Sequence, residues 1–228
     1  MSTQSESLGI VVGVDGSAPS RVAVDWAARD AALSGIPLTL AYVLPSATIQ
    51  SWIEVPLPAA FFEDEQEAAR GALADARGVA EAAATGVGGI QVDQKVISGQ
   101  PVQALADLSK DAAMIVVGSR GLGKWERRLL GSVSSGLVQH AHCPVAVIRD
   151  DDPLIPHPAQ APVVVGIDGS PASERATAIA FDQASRRGVD LVAVHTWSDA
   201  GYELPDGGWN ETHTEEDMLL AERLAGWQ

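Results

Sequence analysis

Residues 118–136, GSRGLGKWERRLLGSVSSG, combine residue types that could hold an anion. In a chain of formal net charge −15, nine consecutive positions carry four basic side chains against the single acid Glu126: Arg120, Lys124, Arg127 and Arg128. Glycines let backbone N–H groups approach a phosphate closely, and serine hydroxyls add further donors. The segment predicts a local phosphate site, and the alternative is a flexible surface loop with solvated arginines.

Two common phosphate-binding motifs do not fit this segment. GLGK, Gly121–Lys124, lacks the first glycine of the Walker motif G-x4-G-K-[ST], and Trp125 stands where that motif has its magnesium-binding Ser or Thr. The first apolar run ends in VGVDGS rather than G-x-G-x-x-G, which argues against a dinucleotide site there. Any phosphate site must therefore be of another kind.

Five apolar runs alternate with helical patterns over the first 150 residues. We predict strands over Leu8–Val14, Pro37–Leu44, Ile90–Ser98, Met114–Val117 and Pro144–Ile148. Short strands separated by helices are typical of a doubly wound parallel α/β sheet, in which ligands bind beyond the carboxyl ends of the strands. Gly118 follows the fourth strand directly, and Gly131 and Ser132 open the next predicted helix, whose N–H groups favour phosphate. The pattern therefore places both ends of the basic segment where ligands bind.

Composition and charge limit the class of protein. With 46% hydrophobic and 20% charged residues, the chain is predicted to fold as a globular protein, with no export signal and no membrane span. Its one cysteine, Cys143, cannot form an internal disulfide, which favours a reducing, cytoplasmic location. Thirty acidic residues against fifteen Lys and Arg predict that neither nucleic acid nor membrane is a partner.

The chain repeats its own beginning. VVVGIDGSPASERA, Val163–Ala176, matches IVVGVDGSAPSRVA, Ile10–Ala23, at an offset of 153 residues. We predict a complete nucleotide-binding domain over 1–150, a linker over 151–161 and a partial second domain over 162–228 that lacks the phosphate loop. Because two parallel strands are not stable alone, we expect the second domain either to be held by packing on the first domain or on another subunit, or to be partly mobile and aggregation-prone. We interpret it as a truncated copy.

A family resemblance rests on several of these motifs together. Gly118 and Gly121, nine further residues, and Gly131-Ser132 fit G-x2-G-x9-G-[ST], and VVGVDGS and AHCPVAVI flank that pattern. In this combination, which covers essentially the entire chain, the sequence resembles the nucleotide-binding universal stress proteins in their tandem-domain form. The resemblance implies a Rossmann-like five-stranded parallel sheet of order 3-2-1-4-5 and bound ATP, with magnesium.

The resemblance also implies roles for individual residues. By position, Asp15 would contact the adenosine portion of ATP, and Val43, at the end of the second strand, would offer backbone groups to adenine. The ribose and phosphates would be surrounded by Gly118, Gly121, Gly131, Ser132, Val133 and Ser134. The alternative for Asp15 is that it only caps the helix that follows it.

The function implied is that of a cytoplasmic, ATP-binding regulator or sensor of stress and growth, working as a homodimer or with another protein partner. Phosphoryl transfer needs a held metal and a positioned nucleophile, and Glu126 is the one acid in the loop, so no catalytic residue is predicted. A slow ATPase or phosphotransferase and a nucleotide-free scaffold remain alternatives. His140, His142 and Cys143 have metal-ligand types, but a helix end and a buried strand account for them, so no metal site is predicted.

Overall fold

The computed structural model describes residues 7–44, 59–119, 130–149, 160–196, 218 and 220–226. The chain splits into two compact units, Met1–Asp152 and Pro153–Gln228. Gly121 and the basic cluster Arg120, Lys124, Arg127 and Arg128 lie outside the described residues, as does most of the predicted linker.

The first unit is a five-stranded parallel sheet with helices in the connections. Its strands are β1 Ile10–Val14, β2 Leu38–Leu44, β3 Val92–Ser98, β4 Met114–Gly118 and β5 Val145–Ile148. Its helices are α1 Ala18–Ser34, α2 Ala59–Ala84, α3 Pro101–Leu108 and α4 Ser132–His140. The strand order is β3-β2-β1-β4-β5, which confirms the predicted fold. The predicted bounds of the five strands differ from the observed bounds by two residues or fewer.

Both faces of the sheet are covered at its central strand β1. Ile10 and Val12 of β1 pack in the cluster that holds α1 and α2, whereas Val11 packs with Leu105 of α3 and Leu137 of α4. A strand buried on both faces explains why LGIVVGV is apolar without alternation. The crossover from one helical layer to the other separates β1 from β4, and such a switch point opens a crevice at the carboxyl edge.

Local signals determine where α1 begins and ends. The Ser17 side chain accepts a hydrogen bond from the Ser20 N–H (3.3 Å), and Pro19 occupies the first turn, where its missing N–H is not needed. Gly35 closes the helix in the left-handed conformation, with φ 65°. Because of these signals, α1 begins at Ala18, shortly after the carboxyl end of β1 at Val14.

The second unit contains β6 Val163–Gly166, α5 Pro171–Arg187 and β7 Leu191–Val194, and residues 220–224 are helical. β6 and β7 form a two-stranded parallel sheet. Its buried apolar cluster consists of Val165, Ile167 and Ala180, with Leu220 and Leu224 packed against it. This cluster is much smaller than either cluster of the first unit.

Candidate functional site

The end of β4 touches the start of α1 at Gly118. A Cβ atom on Gly118 would lie 2.9 Å from both the carbonyl carbon and the oxygen of Pro19, so a larger residue could not occupy this position without moving backbone. Glycine is therefore needed here for close approach rather than for an unusual backbone conformation. This contact brings the loop after β1, which carries Asp15, beside the beginning of the basic segment.

The two ends of the glycine-rich motif are joined by a backbone hydrogen bond. Gly131 N–H donates to the carbonyl oxygen of Ser119 at 2.8 Å, and Ser119 N–H donates to the carbonyl oxygen of Ile148 at 2.8 Å. Ser119 is buried. The start of α4 is therefore anchored to the carboxyl edge of the sheet, next to the last residue of β4.

Helix α4 begins without a side-chain cap. Gly131 is its N-cap residue and has no side chain to accept the first N–H groups. The first intrahelical bond runs from Ser135 N–H to Gly131 O (2.9 Å), so the N–H groups of Ser132, Val133 and Ser134 have no acceptor within the helix. These donors and the positive end of the helix dipole can bind an anion.

The serines at this helix start differ in what they offer a ligand. Ser132 is exposed. Ser134 is buried and its hydroxyl donates to Gly131 O at 2.9 Å, so the group it retains for a ligand is its backbone N–H. Val133 packs partly into the cluster beneath α3 and α4, which leaves its backbone as the part that can face a ligand.

Asp15 shapes the turn between β1 and α1. Its Oδ1 accepts the Ser17 N–H at 2.9 Å, and Gly16 between them has φ 79°, a left-handed conformation that favours glycine. The helix cap itself is Ser17. Because Oδ1 accepts the Ser17 N–H, one carboxylate oxygen of Asp15 is already used by the turn. The residue as a whole is half-buried.

Val43 lies where β2 extends past β1. The β1–β2 pairing ends at Val14 opposite Tyr42, and Val43 pairs on the other side with Ile97 of β3. The backbone of Val43 therefore lies beyond the last β1 pair, at the carboxyl edge.

Tyr42 belongs to the same edge but was not predicted from the sequence. Burial raises the pKa of its phenol, and the carboxylates of Glu65 and Asp15 raise it further. Glu65 is on α2 and Asp15 is in the loop after β1, so carboxylates from two different segments act on the Tyr42 phenol. Its position one residue before Val43 is the feature of the sequence from which Tyr42 could have been predicted to lie at the site.

The residues of HAHC have structural contacts. His142 N–H donates to Ser109 Oγ at 2.7 Å, which ties the turn before β5 to the end of α3. Burial raises the pKa of the Cys143 thiol. Across the described ranges, no three His, Cys, Asp or Glu side chains lie close enough to hold a metal ion. Within the same ranges, no helix is long and apolar enough to cross a membrane.

The sequence profile of the universal stress protein family matches residues 9–149 and 161–228. Universal stress protein Rv2623 of Mycobacterium tuberculosis is 53% identical over 229 residues, covering 100% of this chain and 77% of that protein. The chain therefore belongs to the universal stress protein family, which confirms the resemblance.

A solved structure shows the same fold. A universal stress protein from Archaeoglobus fulgidus DSM 4304 has a TM-score of 0.65 and 22% identity, covering 95% of this chain and 75% of its own. A universal stress protein in complex with cAMP has a TM-score of 0.49 and 28% identity, covering 63% of this chain and 98% of its own.

Proposed function

We propose that the first unit binds ATP at the carboxyl edge of its sheet and that nucleotide occupancy regulates the protein's association with partners. The observation that carries the proposal is the uncapped start of α4, anchored beside the end of β4 by the bond from Gly131 N–H to Ser119 O. The proposed site consists of Asp15, Val43, Gly118, Gly121, Gly131, Ser132, Val133 and Ser134.

The chemistry of this edge suits a nucleoside triphosphate. The N–H groups at the start of α4, which have no acceptor within the helix, and the Ser132 hydroxyl are donors for phosphate oxygens, and ATP would bring its magnesium with it. Asp15, in the loop between β1 and α1, provides an acceptor for ribose hydroxyls. Donors for the phosphates and an acceptor for the ribose would together orient the nucleotide at this edge.

The role proposed for the bound nucleotide is regulatory. One oxygen of Asp15 is committed to the turn, and no catalytic residue is part of the proposal. The single thiol of Cys143 favours a reducing, cytoplasmic setting, and we propose a homodimer as the working form. Nucleotide occupancy would change partner choice by changing the surface that the protein presents at the carboxyl edge of the sheet.

Asp15 provides a sharp test of the site. Asp15→Asn keeps an oxygen to accept the Ser17 N–H but removes the charge, whereas Asp15→Ala removes both. Titration calorimetry should show ATP affinity about tenfold weaker in Asp15→Asn, with the domain folded. The matched control is Asp168→Asn, which changes the equivalent turn of the second unit and should leave ATP affinity unchanged. Wild-type affinity in both Asp15 variants would contradict the assignment.

The basic cluster tests the mode of phosphate attraction. Neutralising Lys124, Arg127 and Arg128 together should weaken ATP binding more at low salt than at high salt, because exposed charges are screened. Equal losses at both salt concentrations would instead indicate direct, desolvated contacts.

A time course of ADP formation by the wild type and the same variant separates a regulator from a slow ATPase, and absence of ATP binding would favour a scaffold.

A further inference from the structure

Helix α4 approaches α3 unusually closely at Gly136. A Cβ atom on Gly136 would lie 2.8 Å from both methyl carbons of Val102, Cγ1 and Cγ2. Non-bonded carbon atoms pack at about 3.5–4.0 Å, so even alanine at position 136 does not fit the present spacing of the two helices. The two helices are therefore closer at this point than a side chain would permit.

Rotation of the Val102 side chain does not make room. The valine Cβ carries two methyl groups and one hydrogen at three staggered positions, and both positions near Gly136 are held by methyls. Every other staggered rotamer keeps a methyl in one of these two positions. A methyl group added at position 136 must therefore displace α4 from α3.

Displacement of α4 would change the proposed phosphate site. Gly136 is four residues after Ser132, about 6 Å along the helix axis, and a helix of nine residues moves largely as one body. The neighbouring Leu137 is fully buried against the sheet, so α4 cannot simply roll away from it. Any shift reaches the N–H groups of Ser132, Val133 and Ser134, and hydrogen bonds weaken steeply when distance and angle depart from their optimum.

We propose that Gly136 is a positioning residue for the nucleotide phosphates: its missing side chain sets the distance between α3 and α4 and so places the donors at the start of α4. This inference rests on the proposed ATP site. It explains a glycine in the interior of a short helix, where alanine is the better helix former.

The experiment compares ATP and adenosine binding by titration calorimetry in the full chain. Gly136→Ala should lower ATP affinity about tenfold and leave adenosine affinity within about twofold of wild type, because the proposed role of the α4 N–H donors is to bind phosphate oxygens, which adenosine lacks. The double variant Gly136→Ala/Val102→Ala, in which the nearest remaining Val102 atom is Cβ at 3.4 Å, should regain ATP affinity. The matched control is Gly78→Ala on α2, which has no atom within 4 Å and should bind ATP as wild type does.

The outcomes separate this inference from the proposed function. Unchanged ATP affinity in Gly136→Ala, an equal loss of ATP and adenosine affinity, or absence of rescue by Val102→Ala would overturn the positioning role and leave the ATP site intact. Failure of the wild type to bind ATP would overturn both. If Gly136→Ala does not fold, the double variant carries the test, since it must fold and bind ATP within about threefold of wild type.

Discussion

The two β-α-β repeats of this chain have the same local structure and very different burial. Ser17 and Ser170 cap their helices in the same way, and Ile10 opposite Leu38 corresponds to Val163 opposite Leu191, so the strand registers coincide. Yet Val11 is fully buried, with 0% exposure, while its equivalent Val164 is 62% exposed.

The difference arises from the layers around each repeat. In the first unit, Leu105 and Leu137 cover the face of the sheet that contains Val11. In the second unit, Leu220 and Leu224 pack with the cluster of Val165 and α5, and among its described residues no second helical layer covers the opposite face. The exposed side chains on that face are Val164, Val192 and Val194. A local motif therefore forms in both places, but among the described residues helices cover both faces of the first sheet at its centre and one face of the second.

The largest expected difference is in hydrogen exchange. Backbone N–H groups of Val163–Val194 should exchange at least about a hundredfold faster than those of Ile10–Val43, because their local opening exposes little apolar surface. Exchange followed by mass spectrometry at low protein concentration measures both segments in one sample. Equal protection of the two segments would show that the second unit is stable without packing on the first unit or on another subunit.

ATP should sharpen the same comparison. At a concentration of 100 times its Kd, a ligand that binds only the folded state stabilises it by about 2.7 kcal/mol. We therefore expect ATP to slow global exchange of β1 and β4 about a hundredfold and to leave β6 and β7 unchanged. Equal slowing in both units would indicate a nucleotide contact in the second unit that the proposed site does not contain.

Gly13 and Gly166 occupy equivalent strand positions in surroundings of opposite kind. A Cβ on Gly13 would lie 3.2 Å from Val117 Cγ1 and 3.3 Å from Leu105 Cδ1, whereas Gly166 has no neighbour within 4 Å. We expect Gly13→Ala to destabilise the first unit by about 1–3 kcal/mol, an overpacking cost. Gly166→Ala should change the second unit by about 0.5 kcal/mol at most. Native-state hydrogen exchange on β1 and β6 measures each effect, and equal costs would contradict the difference in packing.

The smallest effect concerns the turn that both repeats share. Hydrogen bonds from Ser170, and then from Ser173, lower the pKa of Asp168 below its usual value near 3.8. Because the pKa is lower in the folded state, the carboxylate stabilises the turn at pH values above 3.8, and this contribution is lost as the pH falls through the folded pKa. Asp168→Asn should reduce this acid dependence. Exchange of the Ser170 N–H between pH 5 and pH 2.5 checks it, and an unchanged profile would count against the hydrogen bonds.

Much of the fold could be predicted from the sequence because its signals are local. Apolar runs without alternation predict buried parallel strands, Ser17 as a cap predicts the start of α1, and Gly35 predicts its end. Each signal involves hydrogen bonds or side-chain spacing over a few residues. The order β3-β2-β1-β4-β5 required the family resemblance in addition.

The candidate site was predictable only in part. The sequence indicated that Gly118 and Gly131 flank a phosphate loop at the edge of the sheet, but it did not indicate that Gly118 packs on the Pro19 backbone. It predicted hydroxyl donors at Ser132 and Ser134, whereas the Ser134 hydroxyl is bonded to Gly131 O. Tyr42 was missed because its neighbours come from other segments of the chain.

The amino-acid sequence by itself determined the elements, their caps, the repeat and the family. Only the tertiary structure decided that the centre of the first sheet is covered on both faces, that the second sheet is covered on one face among the described residues, and how closely α4 approaches α3. The physical reason is the range of the interactions. Caps and turns connect residues two to five positions apart, whereas the contacts of Gly118 with Pro19 and of Gly136 with Val102 join residues 99 and 34 positions apart. Such contacts depend on the packing of every layer between them.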